Sequence, residues 1–140
     1  MRWITLTIIG AAAGLGIAAV LKLIQAFTEK QVYTLLLNVD YIPVLKDLSY
    51  DELGEVILHL LVSILLVPML YIGLLQMNQS RNILAYFFCS SFIGTVLYTT
   101  TVFSPRTPNL FDGEAFLYWV GAHMIYGVIV GGLIIIMLRE

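Results

Sequence analysis

The sequence predicts an all-α integral membrane protein, a single transmembrane domain spanning residues 1–140 and built as a four-helix bundle. Three observations predict this class. The 140 residues are 60% hydrophobic and 11% charged, with a mean hydropathy of +0.94, whereas a soluble domain carries about 25% charged residues. So few charges do not cover a water-facing surface of this size. The apolar residues gather into four long stretches, each reaching the roughly 20 residues needed to cross about 30 Å of hydrocarbon. Hydrocarbon offers the backbone no hydrogen-bond partner, so each stretch must satisfy its own N–H and C=O groups as a helix.

The first span runs over about 3–27, from Trp3 to Phe27. Arg2 before an apolar run also suits a signal peptide, but the run is too long and no clear cleavage site follows Lys22, so a retained helix is expected. Lys22 lies close enough to the helix end to snorkel its amine to the interface. In the connection Thr28–Glu52, Val32, Leu35, Leu36 and Val39 recur at helical spacing. Tyr33 and Tyr41 suit the headgroup level, and Pro43 ends a helix. An interfacial helix lying along the bilayer is therefore expected; the alternative is a segment folded over the mouth of the bundle.

The second span covers about 53–77, with Pro68 removing one backbone bond midway. Ser63, or hydroxyls from neighbouring helices, are the expected partners for the freed carbonyl. A short turn, Asn78–Asn82, leads to the third span at about 83–103. Asn78-Gln79-Ser80 fits a glycosylation sequon, but abutting a membrane helix it reads as chance. The Pro-rich Ser104–Asn109 segment should be turned or extended, and the fourth span covers about 115–138. Trp3, Trp119, Tyr118 and Tyr50 suit the aromatic belts.

Four spans put both ends of the chain on one side. Arg2, Arg81 and Arg139 fall on that side, and Lys30, Lys46 and Arg106 on the other, so basic residues barely bias orientation. The acids Glu29, Asp40, Asp47, Asp51, Glu52, Glu55, Asp112 and Glu114 crowd the second side, which favours cytoplasmic termini. A net charge of −2 gives no basic field for nucleic acid. The single Cys89 precludes an internal disulfide or a CxxC pair, and among Phe87, Phe88, Ser90 and Ser91 it reads as packing. HExxH, nucleophile-elbow, P-loop and Rossmann patterns are absent, so a non-enzymatic role is expected.

Helices in lipid associate through close backbone contact and polar bonds. Gly10 and Gly14 form one GxxxG, followed by Gly16 and Ala18, and Gly127 and Gly131 form a second. Ser90 precedes Gly94 by four residues, as Ser91 does Thr95. Packing within the bundle is the preferred reading over a dimerisation face. The hydroxyls of the third span (Ser90, Ser91, Thr95, Thr99, Thr100, Thr101) suit packing better than an aqueous path.

Ionisable groups inside a membrane are costly and mark candidate sites. Both histidines of the chain fall within spans. Glu55, His59 and Ser63 share one face of the second helix; His123 shares a face of the fourth with Gly127 and Gly131, beside Tyr126. Both histidines lie roughly 9–12 Å below the acidic boundary at 1.5 Å per residue. The expected polar pocket comprises Glu55, His59, Ser63, His123 and Tyr126. It would handle protons, ions or small solutes. Alternatives are a metal site on His59 and His123, a haem b with both as axial ligands, or two histidines that only hold helices together in a ligand-free scaffold or assembly factor.

The order of motifs resembles a known family. A Gly/Ala-rich first helix (Ile9-Gly10-Ala11-Ala12-Ala13-Gly14) leads to Lys22. A helix with His59, Pro68 and Gly73 follows, and Gly121-Ala122-His123 stands in the last helix. This order is similar to the small inner-membrane proteins of the YagU type, whose molecular activity is unassigned. The resemblance implies a bacterial cytoplasmic membrane location and no substrate. Four short helices enclose little space, so a homo-oligomer is expected, with the lipid bilayer as its surroundings.

Overall fold

The computed structural model describes residues 2–46 and 51–138; Asp47, Tyr50 and Arg139, which entered the reading of charge and aromatic belts, lie outside the described residues. Four helices are long and apolar enough to cross a membrane: α1 (Arg2–Thr28), α3 (Glu52–Gln76), α4 (Ile83–Tyr98, continued as a 3₁₀ turn over Thr99–Phe103) and α5 (Gly113–Met137). The short α2 (Val32–Leu37) lies between the first two. Among the described residues there is no strand. The protein is an all-helical, multi-pass membrane bundle, with spans ending within about two residues of those expected.

Local chemistry starts the last three spans in the same way. Asp51 accepts from the Gly54 N–H at 2.9 Å, Asn82 from Leu84 at 3.0 Å and Asp112 from Ala115 at 3.1 Å. Each side chain satisfies one of the free donors that open a helix. Asn78 stands at φ 55 just beyond α3, a left-handed conformation that asparagine tolerates and that turns the chain out of the helix.

The helices do not pack as an even square. α1 lies against both α3 and α5, and α4 lies along α5, whereas α3 and α4 touch at only a few residues. Glycines set the close seams. A Cβ on Gly10 would lie 2.8 Å from Ile64 Cα, and one on Gly14 2.9 Å from Ser63 Cβ. A Cβ on Gly127 would lie 2.5 Å from the Tyr86 carbonyl oxygen, and one on Gly131 3.2 Å from Ile83 Cα. The first GxxxG thus faces α3 and the second faces α4. Tyr86 is fully buried in this second seam and donates to the Ser80 carbonyl at 2.9 Å.

Two expectations are corrected here. The short helix expected after α1 is present, but its apolar face turns to the bundle and not to lipid: Val32, Leu35 and Leu37 are buried against α1, α3 and α5, so α2 caps the bundle. Trp119 is no belt residue. It is 2% exposed, and its indole N–H donates to the Gly94 carbonyl at 2.7 Å, because Gly94 lets α5 come close enough for the side chain to reach the α4 backbone. Trp3, 62% exposed at the start of α1, does have the setting of a belt residue.

Candidate functional site

The open seam between α3 and α4 holds a cavity of about 210 Å³. α1 contributes Ile17, α3 contributes Leu58 to Leu66 in part, and α4 contributes Ile93, Leu97 and Thr100. The segment from Leu35 to Leu45 covers one end. Leu61, Val62 and Leu65 line it while remaining half or more exposed, so the cavity opens on the apolar flank of the bundle. Most of the wall is hydrocarbon. Its floor is not: His59 and Ser63 from α3 meet Trp119, His123 and Tyr126 from α5. The two histidines therefore line one cavity, although they are 64 residues apart in the chain.

Every polar group on this floor except Tyr126 is seated on a backbone carbonyl. His59 Nε2 lies 3.1 Å from the Gly14 oxygen, Ser63 Oγ 2.7 Å from the Gly10 oxygen, and His123 Nδ1 2.9 Å from the Trp119 oxygen. Ser63 Oγ is also 2.8 Å from the Tyr126 hydroxyl. The Trp119 and His123 rings lie against each other with centroids 4.5 Å apart. Three of the four carbonyls used by the floor, counting the Gly94–Trp119 bond, belong to Gly10, Gly14 and Gly94. The glycine stripes and the polar residues thus form one device, since a side chain reaches another helix's carbonyl only where no Cβ holds the backbones apart. Sequence reasoning joined His123 to Gly127 and Gly131 but left Gly10 and Gly14 apart from His59 and Ser63; the signal that joins these is their shared four-residue spacing.

Two expected roles do not match the geometry. Ser63 does not serve the carbonyl freed by Pro68: its proton goes to Gly10 on α1. Glu55 does not join the histidines. Its carboxylate is 3.2 Å from Arg106 Nη2, and it lines a second cavity of about 420 Å³, with Lys22, Gln25, Tyr33, Thr34, Glu52 and Arg106. Arg106 also approaches Asp40 at 3.8 Å and the Asn38 amide oxygen at 3.4 Å, which ties the α4–α5 connection to the cap. Beside it, Lys22 pairs with Glu52, which accepts from the Tyr33 hydroxyl at 3.0 Å. The second cavity is a charged vestibule at the end of the bundle. Sequence reasoning missed Arg106 because its partners lie 51 to 68 residues away.

The hydroxyls of the third span mostly turn back on their own helix: Ser91, Thr95, Thr99 and Thr100 donate to backbone carbonyls three or four residues earlier. Only Thr100 of this set lines the cavity. Among the described residues no three His, Cys, Asp or Glu side chains group as metal ligands.

Fold and site together define a multi-pass α-helical membrane protein with a laterally open, mainly apolar cavity and a hydrogen-bonding floor. Compared with protein-family models, curated proteins and solved structures, the chain matches none.

Proposed function

We propose that this protein binds a small amphiphile taken up from the bilayer into the cleft between α3 and α4. The observation that carries the reading is the composition of the cleft: apolar walls, an opening on the lipid-facing flank, and a floor of His59, Ser63, His123 and Tyr126. Ligand sites combine a mainly hydrophobic lining with a few placed polar groups, and polar groups kept inside a membrane mark function. Proton relay along Glu55 and His59 has weaker support, because Glu55 is engaged by Arg106. A haem iron between the rings would have to displace the Gly14 contact of His59 or take its Nδ1, next to the chain. The proposal includes a bacterial cytoplasmic membrane location with both termini in the cytoplasm, supported by the YagU-type resemblance and the acidic excess of the opposite face. The proposal keeps a homo-oligomer as the assembly, because four short helices enclose little space.

Trp119 supplies the test. The chain has two tryptophans, so Trp3→Phe leaves Trp119 as sole reporter, buried from bulk lipid yet lining the cavity. In nanodiscs, an amphiphile with a brominated alkyl chain should quench it saturably. Filling the cavity with Ile93→Phe and Leu66→Phe should abolish the saturable part. Quenching that rises linearly with bromide and is the same in the filled variant would refute the reading.

A further inference from the structure

From the hydrogen-bond bookkeeping of the floor we infer that the cleft selects a neutral amphiphile whose head is a hydroxyl donor; this rests on the proposed binding of an amphiphile there. A carbonyl oxygen only accepts, so the assignment of protons follows from the partners. Ser63 Oγ faces the Gly10 carbonyl, so the Ser63 proton is used there. The Tyr126 hydroxyl must then donate to Ser63 Oγ. His59 Nε2 faces the Gly14 carbonyl and His123 Nδ1 faces the Trp119 carbonyl, so each of these nitrogens carries a proton. Trp119 Nε1 donates to Gly94. All five donors of the floor are consumed.

On the floor what remains is a set of acceptors; the one buried unpartnered donor among the described lining residues, Asn38 Nδ2, lies away from it in the cap segment. Neither ring is in an ion pair among the described residues, and an unpaired imidazolium against apolar walls is costly, so both rings are neutral. His59 Nδ1 and His123 Nε2 therefore keep lone pairs with no hydrogen-bond partner among the described residues, and the Tyr126 oxygen keeps one as well. These acceptors belong to side chains that line an apolar cavity rather than being sealed inside the protein, and a ligand that brings a proton supplies the donor the cavity lacks there. A carboxylate or phosphate head would meet lone pairs with lone pairs. An ether or ester head on the floor would fill the space and satisfy none of these acceptors. A hydroxyl satisfies an imidazole nitrogen directly, with its chain running out between Leu61, Leu65, Ile93 and Leu97.

Matched ten-carbon probes separate these cases in the Trp3→Phe protein, each competing with the bromoalkyl quencher in nanodiscs. 1-Decanol should displace the quencher at a mole fraction about tenfold lower than decyl methyl ether, the size of one hydrogen bond to a buried acceptor. Decanoate at neutral pH should be weaker than both. His59→Leu with His123→Leu should bring alcohol and ether together while both still displace. Circular dichroism and elution volume verify that this variant folds; if it does not, His59→Leu alone, at the partly buried histidine, should narrow the same gap. Equal displacement by alcohol, ether and carboxylate, or an alcohol preference unchanged in the folded variant, would overturn the inference and leave the cleft reading standing. Absence of saturable quenching would instead remove the cleft reading itself.

Discussion

Gly10→Ala tests the physical device on which the floor is built. The added Cβ would meet Ile64 Cα at 2.8 Å and the Ser63 carbonyl oxygen at 2.9 Å. Both are backbone atoms of α3, so no rotamer change relieves the contact. Restoring an ordinary separation near 3.4 Å moves α3 away from α1 by about 0.6 Å, beyond what a packed interior absorbs without cost. The same shift stretches the 3.1 Å contact between His59 and Gly14 to about 3.7 Å, past hydrogen-bond range. It also weakens the 2.7 Å bond from Ser63 to Gly10. Overpacking costs about 1–3 kcal/mol, and each lost interhelical bond in a membrane about 0.6–1.7 kcal/mol. The higher helix propensity of alanine returns at most about 1 kcal/mol. The expected net loss is about 1–4 kcal/mol. Gly73→Ala is the control, because nothing lies within 4 Å of its added Cβ; it should be neutral or slightly stabilising. Reversible unfolding in mixed micelles, followed by circular dichroism, measures both. Equal stability of the two variants would refute the claim that α1 and α3 are held at backbone contact by Gly10.

Two further predictions follow from single interactions. Tyr126→Phe removes a hydroxyl that only donates to Ser63, so it should cost less than about 1 kcal/mol. Ser63→Ala leaves that buried hydroxyl without its acceptor and should cost about 1–3 kcal/mol; unfolding of the two variants under identical conditions checks the order, and a larger loss in Tyr126→Phe would contradict the assigned direction of the bond. At the membrane surface, Lys30 lies 2.9 Å from Asp112, which its hydrogen bond holds below the ordinary value of 3.8, with help from the Ala115 N–H. Lys30 is raised above 10.5 by its bonds to Asp112 and Glu114. The lowered carboxyl contributes stability above its unfolded value and loses it as pH falls through the folded one; the raised ammonium contributes below its unfolded value and loses it as pH rises through the folded one. Lys30→Met should therefore lower Tm at neutral pH and narrow its gap to wild type as pH falls below 3.8 and through the lowered folded value of Asp112. A gap that widens in acid would exclude the pair as its source.

The sequence by itself determined that four helices cross the bilayer and roughly where each begins and ends. Span length and hydropathy are local properties, and hydrocarbon leaves the backbone of each stretch one solution. It also placed His59 and Ser63 on one face, since a four-residue spacing fixes that within a helix. Tertiary structure decided which faces meet. Glu55 shares that face and still pairs with Arg106, because the α4–α5 connection folds back to the cap over α3. Val32 and Leu35 have the spacing of an interfacial helix and face protein instead, because α2 packs against α1, α3 and α5 at once. The seating of Ser63 on Gly10, His59 on Gly14 and Trp119 on Gly94 depends on the rotation of each helix about its axis. Rotation is set by how closely neighbouring backbones approach, a property of pairs of helices that no single stretch of sequence contains.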